Sequence, residues 1–463
     1  MLNGMQKTIH SKMNLIKKYN VAGPRYTSYP TVPYWDTTPP TVEQWTNSIK
    51  QSFDETNQKD GIALYIHLPF CESLCTYCGC NTRITVNHNV ESPYINAILK
   101  EWEMYQTIFG TKPRIKEIHL GGGTPTFFSP DNLKKLINGI LENSEVCEEA
   151  EFSFEAHPNN TTKEHLKALY NLGFRRLSLG IQDFDPKVQE IVNRIQPFES
   201  VEKVVNAARE TGYKSINFDL IYGLPLQTRK SVIDTINKVN ILKPDRIAFY
   251  SYAHVPWVKP GQRKFTEADL PIDEEKRALY EIGKEKFSEN DYVEIGMDHF
   301  SLKSDTLYKA AEKGKLHRNF MGYTHSYTQL MIGLGVSSIG DTWYAYAQNV
   351  KKVEEYYELI NKGQLPIFKG HLLNEEDLIV RKHILNIMCK FETNWEQKEM
   401  QCEAVYNAIE KLEEMQKDQL IELTPFHLVV KRSARPFVRN ICMAFDARLW
   451  RNLPQSQIFS SIV

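Results

Sequence analysis

From residue 61 to residue 254 the chain alternates between short apolar, β-branched runs and longer segments with helical periodicity. The apolar runs fall at 62–68, 115–120, 151–156, 176–181, 215–222 and 246–254. Between them, apolar residues recur three or four apart: Ile95, Ile98, Leu99, Trp102, Tyr105 and Ile108 after Pro93, and Leu133, Leu136, Ile137, Ile140 and Leu141 after Ser129 and Pro130. That spacing lays one apolar stripe along a helix. Thr162 and Thr228 stand where N-caps belong, and Gly173 and Gly212 where helices stop. Parallel strands need a helix-length crossover between them, so six such units predict an α/β fold with a parallel sheet sheathed by helices. Near-continuous apolar strands suit either a partial barrel or an open doubly wound sheet.

The first strand runs straight into Tyr-Ile-His-Leu-Pro-Phe-Cys-Glu-Ser-Leu-Cys-Thr-Tyr-Cys-Gly-Cys, residues 65–80. Four of the eight cysteines, Cys71, Cys75, Cys78 and Cys80, lie within this stretch. Thiolates so crowded are better explained by shared coordination of iron or zinc than by disulfides. The first three, spaced C-x3-C-x2-C, supply three ligands where a cubane cluster normally takes four, which leaves one iron open for chemistry. The alternative is a closed zinc site with Cys80 as fourth ligand. Cys147, Cys389, Cys402 and Cys442 are scattered singly and read as buried thiols.

Other polar residues gather at the C-terminal ends of the predicted strands: Gly121-Gly122-Gly123-Thr124-Pro125, Glu155, Gln182, Asp219 and Ala253-His254. In a barrel those ends form one active face. The glycine run lacks the Lys-Ser/Thr of a phosphate loop and the spacing of a dinucleotide fingerprint; it suits a tight turn or a backbone that approaches a ligand closely. Glu155 and Asp219 end apolar strands and need partners there, such as the hydroxyls of a ribose or nearby backbone amides. His67 lies two residues beyond Tyr65 and shares its face, four residues before the first cysteine. Arg194 follows Val-Asn and reads as a solvated helix residue.

With 56 basic against 57 acidic residues the chain has no field suited to a nucleic-acid backbone. No run reaches the length of a membrane span, so the protein is expected in the cytoplasm. Residues 1–55 are expected to form an N-terminal arm, 56–345 the catalytic domain with a covering segment, and 346–463 a small helical, winged-helix-like lid. In the arm, the proline-punctuated stretch 20–40 carries Arg25 among aromatics, which suits a linker or a lid over an anionic ligand.

The spacing of Cys71, Cys75 and Cys78, with Tyr77 before the third, resembles the signature of radical S-adenosylmethionine (SAM) enzymes. The resemblance sharpens over the full length. It covers Gly-Pro-Arg-Tyr-Thr-Ser-Tyr-Pro at 23–30, Gly-Gly-Gly-Thr-Pro-Thr, Gln-Asp-Phe, Asp-Leu-Ile-Tyr-Gly-Leu-Pro at 219–225, Tyr-Ala-His, Gly-Met-Asp-His-Phe, Leu-His-Arg-Asn-Phe and Arg-Asn-Ile-Cys-Met at 439–443. In that set and order the chain is similar to the oxygen-independent coproporphyrinogen III oxidases. The resemblance implies a radical SAM (β/α)6 partial barrel, a monomer, and a [4Fe-4S] cluster on Cys71, Cys75 and Cys78, with Cys80 not a ligand. It further implies two SAM molecules, the first against Tyr65, Tyr77, Gly122, Glu155 and Ile339, the second against Gly123, Thr124, Gln182, Arg194, Asp219 and Ala253. Tyr65, His67 and Glu155 are the expected catalytic residues. The implied reaction converts two propionates of coproporphyrinogen III to vinyl groups, with an electron donor such as a flavodoxin or ferredoxin. Two relatives with other outcomes are a haem chaperone that keeps the three cysteines and a methyltransferase that opens the haem ring. The chain departs from the family pattern at Met321, where many members carry Gln, and at His325-Ser326, where a Thr-Gln pair is expected.

Overall fold

The computed structural model describes residues 15–456 together with Ile458 and Phe459. The six expected strands are present as β1 Ile62–Leu68, β2 Arg114–Gly122, β3 Glu145–Ala156, β4 Phe174–Gln182, β5 Ser215–Tyr222 and β6 Arg246–Ser251. Each pairs parallel with the next, and helices Glu91–Phe109, Pro130–Leu141, Lys163–Asn171, Phe198–Thr211 and Arg229–Leu242 make the crossovers. Ser129, Thr162 and Thr228 cap their helices through side-chain oxygens, and Gly212 closes another with φ 108°. The first crossover helix starts at Glu91, one turn's edge before Pro93, because Pro needs no amide partner inside a helix's first turn.

The strands are not continuously apolar. Phe152 and Phe154, Leu177 and Leu179, Ile216 and Phe218, and Ile247 and Phe249 face the helices and belong to one large core. Their neighbours Ser153, Glu155, Arg176, Ser178, Asn217, Asp219 and Arg246 stand on the other face, where Arg176 donates to Ser153 and Asn217 and Ser178 donate to Asp219. Side chains alternate along a strand, so helices cover one face while the other becomes a polar lumen.

The sheet has twelve strands in the order β12-β11-β10-β9-β1-β2-β3-β4-β5-β6-β8-β7, where β7 is Tyr292–Gly296, β8 His299–Leu302, β9 Met331–Leu334, β10 Ile339–Asp341, β11 Ala345–Asn349 and β12 Ile367–Leu372. Strand β9 runs parallel beside β1 and adds a seventh parallel strand, while β8 and β10 continue the sheet antiparallel. The glycine-rich segment 332–340 lies within the catalytic domain's expected covering part, yet it builds the sheet itself. Gly333 allows this close pairing, since a Cβ there would lie 2.7 Å from the Ile339 carbonyl carbon. The sheet continues past residue 345 to Leu372, and the second core gathers residues from Ile379 onward.

That second core holds helices Glu375–Lys390, Glu403–Lys417 and Val438–Phe445 and a small sheet of Glu392–Asn394, His427–Val430 and Ile421–Leu423. Helix Val438–Phe445 stops at Asp446, whose carboxylate caps Ala447–Arg451 through the Leu449 amide and accepts from the Tyr26 hydroxyl at 3.0 Å. Residues 20–40 are no loose linker. Arg439 donates to the carbonyls of Gly23 and Pro24, and Arg318 to those of Arg25 and Tyr26, so two guanidiniums clamp four consecutive carbonyls. Tyr26 and Tyr29 enter the second core, whereas Trp45, Ile49 and Phe53 of helix Val42–Thr56 enter the first.

Candidate active site

Strand β1 delivers the cysteine loop. Phe70–Cys71 pairs parallel with Arg83–Ile84, and the carbonyls of Pro69 and Cys71 accept from the amides of Arg83 and Thr85, so the loop is anchored at both ends. Cys71, Cys75 and Cys78 line one cavity of about 690 Å³, a size suited to organic ligands. The Cys71 thiol lies 3.3 Å from the Thr124 hydroxyl. Arg194 donates through Nη1 to Cys75 Sγ at 3.5 Å and through Nη2 to the Gly180 carbonyl at 2.6 Å, while its Nε donates to Gln196 at 3.1 Å. A residue that reads as solvated helix thus sets a fixed positive charge beside a cysteine. The neighbouring Cys80 thiol donates to Cys78 and, with nearby Lys259 and Arg194, holds the Cys78 thiol down to about 6. Burial pushes Cys71 up to about 11.

Behind the loop, β1 and β2 stand in register with Tyr65 opposite His119, and their rings stack at 6.0 Å and 17°. His67 Nε2 lies 2.9 Å from the Asn81 carbonyl, which can only accept, so that nitrogen carries the proton and Nδ1 accepts from the Tyr65 hydroxyl at 3.1 Å. Burial lowers the His67 pKa, keeping the ring neutral. His119 bonds Ser153 Oγ at 2.8 Å and Glu155 Oε1 at 3.4 Å, and the other Glu155 oxygen accepts from the Gly122 amide at 3.3 Å. Enclosure pushes Glu155 up, but the bonds from His119 and Gly122 outweigh it and hold the carboxylate below its usual range. On β5, Asp219 accepts from Ser178 at 2.8 Å and Asn217 at 2.9 Å; burial, then the nearby charge of Glu155, pushes it up to about 6. Sequence reasoning missed His119, although its place two residues from Gly121 on a strand of period two was a usable signal.

The glycine run is explained largely by the protein's own packing. A Cβ on Gly122, whose φ is 114°, would meet the His67 ring at 2.7 Å, and one on Gly123 would meet the Pro69 carbonyl at 2.6 Å. Tyr77, Gly122, Gly123, Thr124, Glu155, Gln182, Arg194 and Asp219 all line the cavity with the three cysteines. Tyr65 and His67 stand just behind that wall, bonded to each other. Gln182 ends β4 with φ 66°, a left-handed turn uncommon for a side-chain-bearing residue. Ala253 and Ile339 are not part of the wall. The Ala253 carbonyl shares the Gln262 amide with the Tyr77 carbonyl, each at 3.2 Å, which ties the end of β6 to the cysteine loop. Ile339 begins β10 beside Gly333, itself the register partner of Tyr65.

Among the described residues no three His, Cys, Asp or Glu side chains gather closely enough to hold a single ion. Cys71, Cys75 and Cys78 share one cavity wall and are the thiols that would hold a cluster there. Glu155 reaches the cavity with 42% of its side chain exposed, so it can accept from a ligand's hydroxyl or amino group.

A three-thiol loop at the head of the first strand of a parallel α/β sheet places this chain in the radical SAM class, whose superfamily profile matches residues 65–239. That class works with a [4Fe-4S] cluster and SAM. The oxygen-independent coproporphyrinogen III oxidase of Helicobacter pylori strain J99 is 38% identical over 445 residues, covering 93% of this chain and 95% of the relative. The oxidase of the same name from Escherichia coli K12 is 36% identical over 457 residues, covering 97% and 98%. The solved structure of coproporphyrinogen III oxidase from Escherichia coli, described as a radical SAM enzyme, superposes with a TM-score of 0.87 at 34% identity, covering 94% of this chain and 98% of that one. The chain belongs to the oxygen-independent coproporphyrinogen III oxidase family.

Proposed function

We propose that this chain oxidatively decarboxylates two propionate side chains of coproporphyrinogen III to vinyl groups, releasing carbon dioxide and yielding protoporphyrinogen IX. The observation that carries this reading is the match to oxidases of that name over more than nine-tenths of both chains, cysteine loop and covering elements included. A [4Fe-4S] cluster and SAM bound here would supply the radical chemistry needed to take an unactivated hydrogen atom that no side-chain base could remove. Cys71, Cys75 and Cys78 would hold the cluster, and Arg194 keeps a positive charge beside Cys75. Glu155 and Asp219, on strands two apart in the sheet, present separate carboxylates to one cavity, which supports places for two SAM molecules. Tyr65, Tyr77, Gly122, Glu155 and Ile339 serve the first place; Gly123, Thr124, Gln182, Arg194, Asp219 and Ala253 the second. His67, kept neutral, fixes Tyr65 at the base of the site, and the enclosing walls limit water. The working unit is a single chain of the cytoplasm, with arm, catalytic domain and C-terminal lid, reduced by a small one-electron carrier protein such as a flavodoxin or ferredoxin.

The test is turnover. Anaerobically reconstituted protein with SAM, a reductant and coproporphyrinogen III should give the divinyl product. Haem binding without turnover, or a linear tetrapyrrole, would assign the chain to a chaperone or to a ring-opening methyltransferase. In the same preparations Cys78→Ser should lose the cluster's absorbance and Cys80→Ser should keep it; equal loss in both would overturn the ligand set.

A further inference from the structure

The sheet carries the cysteine loop at β1, and the same cavity extends five strands away to a corner walled by Arg246, Tyr250, His299, Met321 and Tyr323. Besides Arg246 in the wall, two further guanidiniums, Arg25 and Arg318, stand close enough to act on His299. Arg246 is paired with Asp305 at 2.8 Å, and Arg25 reaches Asp298 at 3.3 Å and the Ser251 carbonyl at 3.2 Å. Arg318 has no carboxylate partner among the described residues. It is 6% exposed, donates only to the carbonyls of Arg25 and Tyr26, sits 4.5 Å from the centroid of the Tyr323 ring, and leaves Nη1 without a partner. A buried cation without a counter-charge is costly, and Arg318 brings such a charge to the corner, whereas Arg246 and Arg25 each have a carboxylate partner. His299 adds a second unsatisfied atom: its Nε2 lies 3.5 Å from the Tyr250 hydroxyl, but its buried Nδ1 has no partner among the described residues. Burial, then the charges of Arg318, Arg246 and Arg25, pushes its pKa down to about 3, so the ring stays neutral and adds no charge of its own.

We infer that this corner is an anion subsite that takes a carboxylate of a propionate not undergoing reaction, with Arg25 as the residue that grips it. The inference rests on the proposed substrate, whose several propionates must be neutralised while one is presented to the cluster end of the cavity. Arg25, held on Asp298 and the Ser251 carbonyl at the edge of the wall beside His299 and Tyr250, is the guanidinium with room to do so: its side chain is 34% exposed, and two contacts leave it further N–H groups to offer. The clamp of Arg439 and Arg318 on the carbonyls of residues 23–26 fixes the backbone that carries it. Arg318 supplies the uncompensated charge from behind the Tyr323 ring. The subsite thus sets which end of the tetrapyrrole points at the cysteines.

The experiment measures binding of coproporphyrin III, and of its uncharged tetramethyl ester, to the full-length protein by fluorescence quenching. Arg25→Gln should weaken coproporphyrin III binding about tenfold or more, the scale of a lost charge-assisted hydrogen bond. Arg25→Lys should recover part of the loss, and the ester should bind wild type and both variants alike. Far-ultraviolet circular dichroism of each variant separates a lost contact from a lost fold. Should Arg25→Gln bind coproporphyrin III as wild type does, or lose ester binding in parallel, the subsite is wrong. If wild type turns over the substrate while this holds, only the subsite fails; absence of both turnover and binding in wild type removes the proposed function as well.

Discussion

Glu117 lies two residues before His119 on β2, 1% exposed, with one carboxylate oxygen unpartnered among the described residues. Burial, reinforced by the nearby charge of Glu151 and only partly countered by Arg176 and Arg246, pushes its pKa up to about 8. The folded chain therefore binds a proton there that the unfolded chain has released above its ordinary value of 4.5. Stability from this residue is fully present below the unfolded pKa and is lost as pH rises toward 8. Glu117→Gln, which cannot ionise, should melt close to wild type at pH 5. It should be more stable at pH 9, by on the order of 3 kcal/mol, as read by urea unfolding at the two pH values. A gain of equal size at both pH values would show that the effect is packing, not protonation. The same alternation that buries Glu117 is present in the strand sequences, but whether the polar face meets solvent or an enclosed lumen depends on how the sheet curves. Strand β3 makes the point: Glu151, Ser153 and Glu155 line one face while Phe152 and Phe154 feed the helix-facing core.

Among the elements, the arm departs most from what its composition suggests. Proline and glycine mark residues 20–40 as irregular, and irregular it is, but its carbonyls are held by buried guanidiniums and its tyrosines by a core. Backbone carbonyls left without donors inside a protein are costly, so removing a clamp should free the segment. Arg439→Met should raise amide exchange across residues 20–30 at least tenfold while leaving exchange in β1–β5 unchanged, which hydrogen-exchange mass spectrometry resolves by segment. Uniform protection throughout would mean that Tyr26 and Tyr29 suffice to anchor the arm. The cysteine loop behaves differently, since its anchoring at Pro69, Cys71 and the Arg83–Ile84 pairing is local and short in sequence. Its role was legible because spacing alone limits what thiolates can hold. The residues that complete the site were less so. Arg194 reaches Cys75 from 119 positions away, and no local pattern marks a side chain whose partner lies that far along the chain.

Across the whole molecule, neither hydrophobic core contains Cys71, Cys75 or Cys78. The sheet and the C-terminal unit are built on apolar packing that a cluster does not supply, in contrast to small metal-dependent domains. Chelation of iron should abolish turnover while leaving far-ultraviolet circular dichroism near native, with a fall in Tm of no more than about 5 °C by calorimetry. A collapse of secondary structure on chelation would show that the cluster organises the fold.

The order of strands and helices, the parallel sense of the sheet, the caps and the three-thiol loop were set by the sequence itself. Each depends on periodicity or spacing within a few residues. The seventh parallel strand at 331–334, the sharing of His119 between Tyr65 and Glu155, and the nearness of Arg25, Arg246 and Arg318 to His299 depend on contacts between distant segments. Only folding decides these, because the free energy that brings such segments together comes from cores assembled across the entire chain.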